Sequence, residues 1–275
     1  MNSEVKLANI EVHTRMADTY NSLEPHFRPE NQAKVRAVLE NLARQCGSDR
    51  MLDIGCGTGF ILKIAEPFFR ELHGVDLTPA MLAKVELSPK IQVSNASAES
   101  LPFENGRFNL VTAYSFLHHV EDAFVVLREA CRVLKSGGIC YVDLEPNKLF
   151  WEAMARVQDV DQDGLSAMAR KAYLSVMATD ARVQAEFGID KDVFNKAEYG
   201  KAVLGGVDAE AMRKAARQLG FESCAVRYEW FLGQADIMHG RSAGEAATIE
   251  AYLREVAPFG NHLFKYVQLI FKKQD

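Results

Sequence analysis

Short apolar runs alternate with stretches of helical periodicity along the first half of the chain. Runs at 50–54, 71–76, 91–94, 108–113 and 138–144 have strand length, and segments with helical spacing separate them. Upstream, residues 31–45 place Val35, Val38, Leu39 and Leu42 on one helical stripe that Gly47 stops. Thr78-Pro79 reads as a helix N-cap followed by proline at the first helical position. The helix opened by Glu121-Asp122 runs through Leu134 and stops at Lys135-Ser136-Gly137-Gly138. Strands alternating with helices imply βαβ units, hence a mostly parallel sheet covered on both faces. Right-handed crossovers make that sheet doubly wound, an α/β fold.

The pattern changes after Pro146. Residues 148–204 are mostly helical, with Trp151, Met154, Met168, Tyr173, Met177, Phe187 and Phe194 spread through them and no strand signal. Asp208 to Leu219 is a further helix closed by Gly220, and 222–232 and 262–273 read as strands. These bring the expected sheet to seven strands. Because strands resume, 148–204 and a partly helical insert at 233–261 are expected to be lids over the sheet rather than a second domain.

A formal net charge of −5, with Lys and Arg interleaved among acids, argues against a phosphate-backbone binder, so no nucleic-acid partner is expected. Cys46, Cys56, Cys131, Cys140 and Cys224 form no C-x-x-C pair and have no histidine at zinc spacing. Neither disulfides nor a metal site is expected from them. Residues 1–12 carry no apolar core of a signal peptide, and no window approaches the ~18 apolar residues of a spanning helix. A cytoplasmic chain without membrane contact is the expectation.

The chemistry is concentrated where the strand Arg50-Met51-Leu52-Asp53-Ile54 runs into Gly55-Cys56-Gly57-Thr58-Gly59 and then into a helix. Glycines let backbone approach a ligand closely, and the helix start offers unpaired N–H groups. Asp76 ends the next strand, where an acid can hold the ribose hydroxyls of an adenosine cofactor. A dinucleotide turn needs glycine at position 60, and Phe60 stands there. Asp53 suits a ligand's ammonium group rather than a pyrophosphate. An adenosine bearing an amino-acid tail and no phosphate is S-adenosylmethionine.

With these residues the chain resembles class I S-adenosylmethionine-dependent methyltransferases of the small-molecule, type 11 kind, over about residues 50–146. Beside the glycine turn, the resemblance rests on Val75-Asp76-Leu77-Thr78-Pro79-Ala80-Met81-Leu82 and Ala98-Glu99-Ser100-Leu101-Pro102-Phe103. It continues through Phe108-Asn109-Leu110-Val111, Leu117-His118-His119-Val120 and Arg132-Val133-Leu134-Lys135-Ser136-Gly137-Gly138. It implies a Rossmann-like sheet in which Asp53, Gly55, Cys56, Gly57, Thr58 and Gly59 hold the methionine part. By the same resemblance Asp76 takes the ribose, and Leu77 and Met81 pack on the adenine. Ser97 stands where the family usually has aspartate, shifting the adenine contact toward Ala98 or Glu99. Ser115 should face the methionine moiety, and Tyr20 looks like the tyrosine of the family's closing helix. The implied layout is a single domain over 1–275. Residues 1–46 form a closing segment, 48–146 the cofactor-binding half, 148–204 a lid, and 205–275 the C-terminal helix and strands with the 233–261 insert.

Methyl transfer is an in-line displacement at a sulfonium carbon, so much of the enzyme's work is alignment in a dry site. A base is needed where the acceptor must lose a proton. The His118-His119 pair after the fourth strand is either a structural part of the strand-to-helix turn or the source of the base, with His118 the better candidate of the two. Glu145, ending the fifth strand, either binds an amine or hydroxyl of the acceptor or caps the next helix. The expected function is methylation of a small molecule, with O-methylation ahead of N- or C-methylation. The alternative is a non-catalytic S-adenosylmethionine-binding regulatory or partner protein.

Overall fold

In a computed structural model of the chain, residues 3–157 and 164–275 are described. The apolar runs become strands β1 Arg50–Ile54, β2 Glu71–Asp76, β3 Ile91–Asn95, β4 Phe108–Tyr114, β5 Leu134–Pro146, β6 Phe221–Phe231 and β7 Phe264–Lys273. Helices of the first half are α1 Ser3–Met16, α2 Tyr20–Leu23, α3 Pro29–Cys46, α4 Phe60–Ala65, α5 Pro79–Leu82 and α6 Ala123–Val133. The second half adds α7 Lys148–Val157, α8 Ala167–Phe187, α9 Lys191–Ala197, α10 Tyr199–Ala202, α11 Ala209–Leu219, α12 Gln234–Gly240 and α13 Ala243–Glu255. No helix among the described residues is long and apolar enough to cross a membrane.

The strands form one seven-stranded sheet in the order β3-β2-β1-β4-β5-β7-β6. Pairing is parallel from β3 to β5 and antiparallel on both sides of β7. β1 and β4 are buried nearly throughout, as strands covered on both faces must be. β6, at the sheet's edge, is buried only at Phe221, Glu229 and Phe231 and exposed or half-buried elsewhere. One face packs on α6 and α11 through Val126, Leu127, Met212 and Ala216; the other packs on α3 and α4 through Leu39, Leu42, Ile61 and Leu62. From β1 the chain winds outward to β2 and β3 on one side and to β4 and β5 on the other. The crevice at the C-terminal ends of β1 and β4 is therefore the switch point where open α/β sheets bind ligands.

Two local expectations change. The helix expected to run through Leu134 ends at Val133, because Leu134 is already extended (φ −70°, ψ 138°) and opens β5. Gly137, at φ +67°, lies inside that strand where pairing with β4 shifts register, so the Gly137-Gly138 pair marks a strand irregularity rather than a helix stop. Thr78 does occupy the N-cap of α5 with Pro79 after it, but its side chain makes no capping bond.

The N-terminal and 148–204 segments meet each other. Ala8, Val12 and Met16 of α1 pack against Ile189 and against Phe194 and Ala197 of α9. Gly200, opening the turn of α10, sits on the backbone of His118 so closely that a Cβ there would stand 2.8 Å from His118 Cα.

Candidate active site

Above the switch point lies a cleft with about 860 Å³ of empty space, part of it open to solvent. Tyr20, Asp53, Gly55, Cys56, Gly57, Thr58, Asp76, Leu77, Met81, Ala98 and Ser115 all line it, so most of the expected cofactor set converges on one space. Three expected residues do not line it. Gly59 is the N-cap of α4 at φ +87°, beneath the turn. Ser97 Oγ accepts from the Glu99 amide at 3.4 Å, and Glu99 pairs with Lys6 at 3.5 Å.

The glycine turn is held from both sides. Gly55 and Cys56 donate their amides to Val75 O at 2.8 and 3.0 Å. Asp76 accepts from the Gly57 amide at 2.9 Å and from the Thr78 amide at 2.8 Å. Gly55 adopts φ +69°, and a Cβ there would fall 2.0 Å from the Phe116 ring. Gly55→Ala must therefore displace Phe116 and strain the backbone. A melting temperature lowered by several degrees and at least ~10-fold weaker binding of S-adenosylhomocysteine are expected, read by thermal unfolding and titration calorimetry.

Asp53 is buried, and its Oδ1 accepts from Thr112 Oγ1 at 2.6 Å. Burial pushes its pKa up to about 7, the Thr112 hydroxyl opposing the rise and the charge of Asp76 adding to it. Among the described residues no cation pairs with it. A buried carboxylate without a counter-ion, in a cleft, fits a ligand that brings an ammonium group. A second acid at the neighbouring strand end, a backbone cradle that a Cβ would fill, and Met81, Leu77 and Ala98 beside it complete a surface matching the expected cofactor.

At the acceptor end the two histidines and Glu145 are divided between the cleft and the turn behind it. His118 is 7 % exposed and absent from the cleft lining, whereas His119 lines it. Glu145 is fully buried: Oε1 accepts the amides of Phe116 and Leu117 at 2.7 and 2.8 Å, and Oε2 accepts the His118 amide at 3.1 Å and its Nδ1 at 2.8 Å. Its carboxylate thus holds the turn between β4 and α6 from behind and does not reach the cleft. Ser115, just past β4, and Leu144, at the register shift of β5 against β7, both take left-handed backbone, at φ +52° and +57°, and Ser115 donates its amide to Asp143 O at 2.8 Å.

His119 Nδ1 lies 2.9 Å from Ala197 O and 3.6 Å from Glu198 Oε1. A carbonyl can only accept, so Nδ1 carries the proton and Nε2 the lone pair. Burial, then the neighbouring His118, hold the His119 pKa well below the usual range, which keeps the ring neutral. Burial alone would lower His118 too, but Glu145 and Glu198 outweigh it and raise its pKa. Glu198, which burial would raise, is held at about 2 by His118, His119, Lys201 and His13.

The N-terminal segment covers this end. Asn9 Nδ2 donates to His119 O at 3.0 Å, Thr58 Oγ1 donates to Asn21 Oδ1 at 2.6 Å, and the His13 ring stands edge-on to His119 at 4.8 Å. His26, 6 % exposed, packs among Phe27, Phe60 and Tyr114, and burial lowers its pKa to about 4. Asn9, His13, His26 and Tyr114 line the cleft and were not expected there. Asn9, His13 and His26 carry no motif and reach the cleft because the N-terminal segment folds back over the switch point, whereas Tyr114 is the last residue of β4.

Residues 52–142 match a family described as a methyltransferase domain. Among curated proteins, the chain is 31 % identical over 140 residues to a ubiquinone biosynthesis O-methyltransferase of Aliivibrio fischeri, covering 48 % of this chain and 59 % of that one. It is 27 % identical over 166 residues to 27-O-demethylrifamycin SV methyltransferase of Amycolatopsis mediterranei, covering 56 % and 61 %. The chain spans less than two thirds of the length of the curated relatives it matches. In structure it resembles Haemonchus contortus phosphoethanolamine N-methyltransferase 2 bound to phosphomonomethylethanolamine and S-adenosylhomocysteine, at TM-score 0.56 and 16 % identity over 95 % of this chain and 57 % of that one. It also resembles YcgJ of Bacillus subtilis, at TM-score 0.52 and 16 % identity over 88 % and 99 %. At those identities the structural likeness is one of fold.

Proposed function

We propose that the chain, whose residues 52–142 match a methyltransferase domain, is a class I S-adenosylmethionine-dependent methyltransferase acting on a small-molecule acceptor. One observation carries this reading: a single cleft runs from Ala98 and Met81 past Asp76 and Asp53 to His119. The cofactor supplies a sulfonium-bound methyl group. Asp76 and the amides of the glycine turn fix the nucleoside end, and Asp53 compensates the ammonium charge of the tail. Tyr20, Phe116 and the α1 helix exclude water from the space beside Ser115. His119, neutral with Nε2 free, is the group placed to take a proton from the acceptor; His118 and Glu145 hold the turn that presents it. O-methylation is favoured, because a hydroxyl must shed its proton and a neutral imidazole accepts one; the O-methyltransferases named above agree with it.

The test incubates the protein with methyl-labelled S-adenosylmethionine and a metabolite extract and looks for a labelled small product. Tight binding of S-adenosylhomocysteine without any labelled product would favour a non-catalytic binding protein. Binding of NAD in place of S-adenosylhomocysteine would overturn the whole assignment.

A pH dependence follows from Asp53. Its carboxylate must be charged to hold an ammonium group, and in the free protein it is charged above about pH 7. Affinity for S-adenosylhomocysteine should therefore rise from pH 5.5 toward 7, by up to ~10-fold per pH unit, and level off above. Binding should release a proton at low pH. Asp53→Asn should flatten the profile, and calorimetry in two buffers of different ionisation enthalpy reads both effects.

A further inference from the structure

We propose that His118, His119 and Glu198 form a binding site for one borderline divalent transition-metal ion, zinc foremost, at the acceptor end of the cleft. One ring nitrogen of each histidine and one carboxylate oxygen of Glu198 lie within 4.8 Å of one another. His118 Nε2 stands 3.9 Å from Glu198 Oε2. Two imidazoles and a carboxylate are the donor set of open, three-ligand zinc sites, and imidazole suits zinc, copper, iron and nickel better than calcium or magnesium. Tetrahedral coordination at 2.0–2.1 Å separates donors by about 3.3 Å, so groups within 4.8 Å of one another need draw in by up to about 1.5 Å.

Proximity of this kind also occurs in plain ion-pair networks; the tethering of the rings is what points to an ion. Metal-bound histidines almost always donate their second ring N–H to a carboxylate or a backbone carbonyl, which fixes the tautomer and aims the ring. Both rings here are so tethered, His118 Nδ1 to the buried Glu145 at 2.8 Å and His119 Nδ1 to Ala197 O at 2.9 Å. His13, edge-on to His119, repeats the arrangement with Nδ1 at 2.9 Å from Asn9 O. Charge agrees: Glu145 and Glu198 bring two buried or half-buried carboxylates to this spot, and Lys201 Nζ, 3.9 Å from Glu198 Oε2, is also engaged with Asp180 at 2.6 Å. His119 lines the cleft, so an ion held there is reachable from it. With the ion in place its charge, rather than the imidazole, acidifies a bound hydroxyl.

The experiment needs neither cofactor nor acceptor, so its outcome is independent of the methyl-transfer reading. Protein stripped with a chelator is titrated with Co²⁺, read by visible absorption, and separately loaded with Zn²⁺ and counted by elemental analysis. One equivalent per chain is expected. Glu198→Gln and His118→Gln should each weaken binding at least ~10-fold, and Glu198→Gln should do so without moving S-adenosylhomocysteine affinity. Should His118→Gln lose its cooperative melt, Glu198→Gln decides alone, since its contacts to the two rings are longer than hydrogen bonds, at 3.6 and 3.9 Å. Failure of the parent protein to bind an equivalent, or equal binding by Glu198→Gln, overturns the site.

Discussion

His119→Ala is expected to lower methyl-transfer turnover about 10²–10⁴-fold while S-adenosylhomocysteine affinity stays within about twofold. The split follows from position. Asp53, Asp76 and the glycine turn hold the cofactor at the other end of the cleft, and none of them contacts the imidazole. Removing the ring takes away the neutral Nε2 at the acceptor end and leaves the Asn9 bond to His119 O intact, because that bond is to backbone. Label transfer from methyl-labelled S-adenosylmethionine gives turnover, and calorimetry gives affinity. Unchanged turnover would remove His119 from the chemistry. A matching fall in affinity would make it a packing residue of the cofactor pocket. The sign is the same whether the ring takes a proton or holds an ion, and the metal titration separates those two.

The largest stability effect is expected at Glu145. Glu145→Ala removes one acceptor group serving four donors, three of them backbone amides of residues 116–118. The carboxylate is fully buried, so its four donors face no bulk solvent. Stranding buried N–H groups and the His118 ring places the loss at about 3–5 kcal/mol, or roughly 10 °C in melting temperature for a chain of this size. Glu145→Gln is the informative companion. Its amide oxygen still serves Phe116 and Leu117, but its NH₂ now faces the two donors of His118, so about half the loss is expected. Differential scanning calorimetry of the pair reads both. A loss below ~1 kcal/mol for the alanine variant would show that the turn holds itself without the carboxylate.

The parts of the fold that obey local rules were legible beforehand. Strands of continuous apolar residues, a glycine turn between strand and helix, and Asp76 at a strand end each declare themselves within a few residues. The cofactor half of the cleft follows from them. The rest depends on geometry that no short window encodes. Which of two adjacent histidines faces the cleft depends on the left-handed backbone of Ser115, and a serine carries no signal for that conformation. Glu145 occupies a strand end, where an open-sheet rule aims it at the ligand. The left-handed Leu144 instead turns it into the 116–118 turn. Glu198 comes from a helical stretch without pattern and reaches the histidines only because α10 packs on that turn. The Gly137-Gly138 pair looked like a helix stop because glycine marks both helix ends and strand irregularities.

The place of β7 between β5 and β6 constrains how the molecule assembles. Every backbone ladder that fastens β6 to the sheet runs through β7, which follows it in the chain. Until β7 docks, β5 presents an open parallel-sheet edge and β6 hangs free, two templates for pairing with another chain. The five parallel strands can condense first, but the last antiparallel insertion joins residues more than a hundred positions apart. Crowding and slow synthesis therefore act on this chain mostly through that late step. Aggregates caught during refolding should be cross-linked along β5 and β6 rather than along β3.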